Sequence, residues 1–315
     1  VPRIAYFGPE GTFTEQATRA FLGDPPSDTR PAPPDSALRP VETIAAALDA
    51  VRAGDAEAAC VPVENSVEGS VAATLDALVA GDPLVAVAET VLPIRFTVLV
   101  RPGATPADIR TVATHPHAAA QVRGWLAEHL PSAAVLPSSS TAAAAVGVLA
   151  GEFDAAVTAP AAAERYPLAV LAADVADVRD AVTRFLLVRR PGPLPARTGA
   201  DRTSVAAVTA DRIGALSEVL TVLAGHGINM TRIESRPTRN RLGEYRFFVD
   251  FEGHVADERV GDAMAALRRR CTEVRFLGSF PRADQAPNTV VPTTSDEDFL
   301  AARRWLTSVR EGREA

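Results

Sequence analysis

The sequence predicts an α/β protein of two lobes around a cleft, followed by a small ferredoxin-like unit, and three features carry that expectation. Residues from about 3 to 190 alternate short apolar runs with longer helical patterns, the order of α/β folds. Leu84–Leu92 and Ile94–Val100 read as two long apolar runs hinged at Pro93, and a further run, Thr183–Val188, returns much later. A chain that crosses out near residue 95 and comes back near residue 180 makes one lobe from about 1–95 plus 178–190 and another from about 96–177. Ligand sites favour clefts of that kind. After the linker 191–202, which opens Pro191-Gly192-Pro193-Leu194-Pro195, the pattern changes to β-α-β-β-α-β over 203–281.

The elements follow in order. A strand over Arg3–Phe7 stops at Gly8-Pro9, and a helix follows Thr12, whose hydroxyl suits an N-cap. Pro25 to Pro40 is a proline-laden loop or edge segment. Helices follow Thr43 and Ser70 on either side of a strand over Ala58–Val63. In the second lobe, strands over Thr111–Thr114, Ala133–Leu136, Ala155–Val157 and Ala169–Ala172 alternate with helices from Pro116, Thr141 and Pro160. In the small unit the strands are Thr203–Thr209, Ile228–Pro237, Glu244–Phe251 and Val274–Phe280, with helices over Gly214–Gly225 and Val255–Arg270. The remainder, 282–315, is polar apart from one amphipathic helix. Ser295-Asp296-Glu297-Asp298 caps its start, and Phe299, Ala302, Leu306 and Val309 line one face, so that the helix either docks on its own chain or on a partner subunit or is an inert tail.

Composition narrows the function classes. The chain of 315 residues is 47% hydrophobic and 23% charged, as globular proteins are, and with 5% aromatics its core must be filled by Ala, Val and Leu. A net charge of −7 argues against a nucleic-acid partner. The one tight basic run, Arg268-Arg269-Arg270, suits the end of a helix. No stretch reads as a membrane span or a leader, and Cys60 and Cys271 have no metal or redox spacing, so the expected compartment is the reducing cytoplasm.

Polar clusters fall at strand–helix junctions. Gly8-Pro9-Glu10-Gly11-Thr12-Phe13-Thr14 is either a capped helix or an anion-binding start, where free amides point outward. Pro62-Val63-Glu64-Asn65-Ser66-Val67-Glu68-Gly69 is either a turn or a polar wall at the end of a parallel strand. His115-Pro116-His117 with Gln121 lacks the acidic or cysteine company of a metal site. Ser138-Ser139-Ser140-Thr141 opens another helix. Arg184, inside the apolar strand Val182–Val188, must meet a carboxylate, from the protein or from a ligand. No nucleophile–base pair emerges.

Read together, Gly8–Thr14, Val63–Gly69, His115-Pro116 with Gln121, Ser139–Ala142 and Thr183-Arg184-Phe185 resemble prephenate dehydratase, in order and at family-like spacing. The second unit resembles the ACT regulatory module, with Gly214-Ala215-Leu216 and Glu234-Ser235-Arg236-Pro237 as its recognition stretches. The resemblance covers about residues 3 to 280. It implies a two-lobed, periplasmic-binding-protein-like catalytic domain over 1–190, followed by an ACT domain, and the conversion of prephenate to phenylpyruvate, carbon dioxide and water without a cofactor or metal.

It further implies Thr183 as the hydrogen-bond donor to the leaving oxygen, Arg184 gripping substrate and Phe185 packing beside it. Asn65 and Ser66 would orient substrate, with Glu64 as a relay. Thr12, Phe13, Thr14, His115, Gln121, Ser140 and Thr141 are implied substrate-binding residues. An L-phenylalanine effector site between paired ACT modules would use Gly214, Ala215, Leu216, Asn229, Glu234, Ser235, Arg236 and Pro237, making a homodimer or homotetramer under feedback inhibition. Two departures stand out: His117 lies outside the family pattern, and Arg179-Asp180-Ala181-Val182 lacks the Asn that many relatives place before the Thr-Arg-Phe core. An arogenate dehydratase and a non-catalytic amino-acid sensor are the competing readings.

Overall fold

Residues 3–23, 38–239, 241 and 243–313 are described by the structure, a computed structural model of the chain. The chain divides into two units, Val1–Ala77 with Thr90–Arg190 and Leu78–Glu89 with Pro191–Ala315. From the amino terminus the elements are β1 (Ile4–Phe7), α1 (Phe13–Phe21), β2 (Leu38–Val41), α2 (Ile44–Ala53), β3 (Ala58–Asn65), β4 (Gly69–Ser70), α3 (Ala72–Val79) and β5 (Val85–Pro93). They continue with β6 (Thr97–Val100), β7 (Thr111–Thr114), α4 (Pro116–Gln121), α5 (Arg123–His129), β8 (Ala134–Pro137), α6 (Thr141–Ala150), β9 (Ala155–Thr158), α7 (Ala161–Arg165), β10 (Ala169–Ala172) and β11 (Val182–Arg189).

In the first unit, lobe one is built on strands in the order β2-β1-β3-β11, parallel except for β11, with β4 folded back on the end of β3. β1 and β3 are apolar on both faces because helices cover parallel sheets from both sides. β2 is the edge, which tolerates Pro40. It closes the proline-laden segment, of which residues 24–37 lie outside the described residues. Ile4, Tyr6, Ala17, Cys60, Leu92 and Phe185 pack as the lobe's core. Lobe two has the order β10-β6-β9-β7-β8, with Phe96, Val98, Val112, Val157 and Leu126 in its core. The two crossovers between lobes run side by side, with Ile94 N–H bonded to Ala181 C=O at 2.7 Å and Val175 N–H to Phe96 C=O at 3.0 Å.

Local sequence explains the helix ends. Thr12, Thr43 and Ser140 each accept a first-turn amide, at 3.3, 3.0 and 3.0 Å, and α2 and α6 stop at left-handed Gly54 and Gly151. The single helix expected from Pro116 is instead two, because Val122 leaves helical geometry at φ −125°, ψ 10°.

The second unit adds β12 (Asp201–Val208), α8 (Ala215–Gly225), β13 (Met230–Pro237), β14 (Tyr245–Glu252), α9 (Glu258–Arg270), β15 (Glu273–Pro281) and α10 (Asp296–Arg310). Its strands run β13-β14-β12-β15, antiparallel throughout, the ferredoxin-like order. α8 and α9 bury Val219, Leu223, Val260 and Leu267 against Val205, Ala207 and Phe251 of the sheet. Strand β12 starts two residues before the expected 203, inside the stretch read as linker. Buried Asp201 holds that start by accepting the Thr198 and Gly199 amides at 2.8 and 2.9 Å.

Leu78–Glu89, expected in the first lobe, clusters with the second unit. β15 pairs parallel with β5 at Gly278 and Ala86, and Arg275 donates to the Val79 and Gly81 carbonyls at 2.8 and 2.9 Å. A Cβ on Gly278, at φ +143°, would sit 2.3 Å from Ala86 O. Gly278→Ala is therefore expected to destabilise the protein by about 3 kcal/mol or more, read as a lowered midpoint in urea unfolding. The tail helix α10 docks on its own chain. Asp296 accepts Glu258 N–H at 2.8 Å, Arg303 meets Glu258 at 2.7 Å and Phe299 stacks on His226, while Leu306 and Val309 stay exposed.

Candidate active site

β3 and β11 place the polar residues at their ends by register. Thr183 lies opposite Asn65, and Arg184 opposite Glu64, so alternation sends the two pairs to opposite faces. The ladder then slips: Phe185 faces Pro62, leaving Val63 as an extra residue in β3. Pro62 sits at this bulge, one of the few places an interior strand accepts proline.

On one face, Asn65 is locked. Its Oδ1 accepts the Val67 and Glu68 amides at 2.9 and 3.0 Å, so its Nδ2 must point the other way, where it donates to Thr183 Oγ1 at 2.9 Å. With its oxygen already accepting, the Thr183 hydroxyl keeps its own hydrogen to give. On the other face, Arg184 binds Glu64 Oε2 through Nε and Nη2 at 3.2 and 3.0 Å. The carboxylate that the sequence required for Arg184 thus comes from the protein. Ser66 uses its hydroxyl to accept Val182 N–H at 2.9 Å, and Phe185 is core.

A cavity of about 590 Å³ separates the lobes of the first unit. Of the expected site residues, Phe13, Asn65, His115, Gln121, Thr141 and Thr183 line it. Glu64, Ser66, Arg184, Phe185, Thr12, Thr14 and Ser140 do not line it. The anion-binding start read at Thr12 is used internally: Thr12 takes Glu15 N–H, and the Glu15 carboxylate takes Gly11 N–H at 2.5 Å. Phe7, Glu42, Thr43, Ile44, Phe96 and Ser139 also line the cavity, and sequence reading missed them as site residues. Thr43 carried a signal, a helix-capping hydroxyl like Ser140, whereas Phe7 and Phe96 look like any core aromatic.

The wall carries no arginine among the described residues. Positive potential comes from helix starts, since Ile44 and Ala45 of α2, the cap His115 with His117 of α4, and Thr141 of α6 with Ser139 just before it all reach the cavity. His115 Nδ1 accepts His117 N–H at 3.3 Å as the cap of α4, which puts the proton of the neutral ring on Nε2. Burial first, and the His117 ring 5.0 Å away second, hold this imidazole below its ordinary range. Its contribution to stability is fully present above pH 6.5, the ordinary value, and is lost as the pH falls toward the lowered one. His115→Asn keeps a capping acceptor without the titration. We expect it to flatten the fall in Tm between about pH 7.5 and about pH 5.5. Cys60 is inert: burial pushes its thiol up to about 12.

The second unit has a smaller hollow of about 240 Å³ at the start of α8, lined by Arg212, Gly214, Ala215, Leu216, Tyr245 and Phe247 among others. Gly214, at φ +82°, caps α8 without a side chain; the Ala215 amide turns back to the Arg212 carbonyl at 3.3 Å, and the Leu216 and Ser217 amides of the first turn have no side-chain cap. Ser235 and Pro237 of β13 pair with Phe247 and Tyr245, which brings Glu234–Pro237 beside this hollow. Asn229 lies at the far end of β13, bonded to Glu252 Oε1 at 3.0 Å. Eight residues of extended strand put it roughly 25 Å from Pro237.

Comparison with known proteins agrees with this architecture. A family model described as prephenate dehydratase matches residues 4–193, and one described as ACT domain matches 203–269. A prephenate dehydratase of Amycolatopsis methanolica is 60% identical over 99% of both chains. The crystal structure of prephenate dehydratase in complex with L-Phe from Arthrobacter aurescens superposes with a TM-score of 0.88 at 47% identity, covering 98% of this chain and 99% of that one. GqqA, described as a novel type of quorum quenching acylase, is 32% identical with a TM-score of 0.74, covering 88% of this chain and 97% of its own.

Proposed function

The chain belongs to the prephenate dehydratase family, and from that premise we propose that it converts prephenate to phenylpyruvate, carbon dioxide and water in the cavity between its lobes. The observation that carries the reading is the Asn65–Thr183 contact, which leaves a neutral hydroxyl committed to donating. The chemistry asks for little more. The carbon–carboxylate bond of the ring breaks, its electron pair enters the ring and the ring carbon–oxygen bond breaks, with aromatisation as the driving force. The departing oxygen takes up one proton and leaves as water. The protein must hold two carboxylates, stabilise charge growing on the leaving oxygen and exclude solvent. The helix starts at Ile44, His115 and Thr141 suit the carboxylates, and the Thr183 hydroxyl suits the leaving oxygen as a preorganised dipole. Asn65 orients Thr183, and Glu64 with Arg184 braces the strand pair from behind.

L-phenylalanine is the effector in this proposal, bound at the open start of α8 as an amino-acid carboxylate would be. The relative solved with L-Phe bound supports that assignment. Because Asn229 and the Gly214 hollow stand at opposite ends of one strand, a site that uses both needs two copies of the module, which favours a homodimer or homotetramer. Among the described residues no helix is long and apolar enough to cross a membrane, and a cytoplasmic setting suits two free cysteines.

One fold carries several activities, as the acylase relative illustrates, so products decide. The protein is incubated with prephenate and, separately, with arogenate, each with and without L-phenylalanine. Phenylpyruvate from prephenate, suppressed by L-phenylalanine, is the expected result. Phenylalanine from arogenate alone would move the assignment to arogenate dehydratase. No product from either would leave the cavity a binding site.

A further inference from the structure

Gln121 holds a polar atom that the fold leaves without a partner. The residue ends α4, is only 4% exposed and lies on the cavity wall. Its Nε2 donates to the His117 carbonyl one turn back, at 3.1 Å, which fixes the orientation of the amide. Oε1 is therefore the free end, and it meets no donor among the described residues. A buried carbonyl oxygen is costly to leave unbonded, so this wall position calls for a ligand group that donates. Prephenate has one. Its two carboxylates and its ketone only accept; the ring hydroxyl alone has a hydrogen to give.

What aims Gln121 comes from outside its own helix. Asp177, on the return crossover between the lobes, clamps both sides of the break at Val122. Its N–H donates to the Gln121 carbonyl at 2.7 Å, and its carboxylate accepts the Gly124 and Trp125 amides at 2.8 and 2.9 Å. Gly124 allows this closeness, since a Cβ there would lie 3.0 Å from Asp177 Oδ1.

We propose that Asp177 is a positioning residue for the reaction, holding the α4–α5 break so that Gln121 Oε1 accepts the hydrogen of the ring hydroxyl while Thr183 donates to the same oxygen. The assignment rests on the prephenate dehydratase reading above. The proton that completes the leaving water reaches the oxygen through the Thr183 hydroxyl, which recovers one from solvent. Bonded to Gln121, the ring hydroxyl keeps its hydrogen turned away from Thr183 and offers that donor a lone pair as the carbon–oxygen bond breaks. Alignment that matters only as that bond breaks raises kcat rather than only binding substrate.

A double-mutant cycle on the full chain, assayed with prephenate, tests this. The variants are Asp177→Asn, Gln121→Ala and the pair, with Gly124→Ala as a second route to disturb the clamp should Asp177→Asn fold poorly. Small misplacements of a positioning group cost up to about 100-fold, so we expect Asp177→Asn to lower kcat by about tenfold or more, with a smaller change in KM. In the Gln121→Ala background the same substitution should change kcat by less than about twofold, because the two residues act as one. Gly124→Ala should behave alike. Additive losses overturn the proposal, as does a loss for Asp177→Asn that follows Tm while kcat per folded molecule stays unchanged. A wild-type chain that forms no phenylpyruvate removes the dehydratase reading, and this proposal with it.

Discussion

Thr183→Val should lower kcat on prephenate by about 100- to 1000-fold, the usual cost of one preorganised donor to a developing oxyanion, with KM changed little. Valine matches threonine in shape, so the packing at this buried position survives while the hydroxyl is lost. The Asn65 amide would then face a methyl group. Because Asn65 is tethered by two backbone amides, it cannot swing to replace the missing donor. Steady-state kinetics beside a melting curve separates chemistry from folding. A kcat within about threefold of wild type would remove Thr183 from the mechanism.

Gly214→Val should weaken the response to L-phenylalanine by about 100-fold, read as the effector concentration that halves turnover. A Cβ at Gly214 meets nothing within 4 Å, so crowding is not the cause. The backbone is: φ +82° is a left-handed conformation that costs a residue with a Cβ roughly 1–2 kcal/mol, and a branched side chain would screen the open amides of α8. An unchanged half-inhibiting concentration would place the effector elsewhere. Loss of both response and turnover would mark general damage instead.

Much of the first unit was legible because helix and strand formation answer to neighbours in sequence. Thr12, Thr43 and Ser140 cap where their hydroxyls fall just before apolar helical runs, and β1 and β3 are continuous apolar stretches between turn residues. The β-α-β-β-α-β order was visible for the same reason. The break at Val122 was not, since Ala118-Ala119-Ala120-Gln121-Val122 carries no breaker and the clamp that holds the kink, Asp177, lies more than fifty residues away. The association of Leu78–Glu89 with the second unit was equally hidden, because a strand run does not name its neighbour.

The candidate site divides along the same line. Sequence by itself determined the residue types that matter: a Thr-Arg-Phe strand, a Glu-Asn-Ser strand end and polar helix starts, each recognisable from a few adjacent residues. Only the tertiary structure decided which of them face the cavity. The pairing of Thr183 with Asn65 and of Arg184 with Glu64 turns the first pair inward and makes the second a brace, though all four come from the same two motifs. Side chains alternate along a strand, so a register shift of a single residue would exchange those roles. Register is set by contacts between chain segments about 120 residues apart, and no local pattern records it.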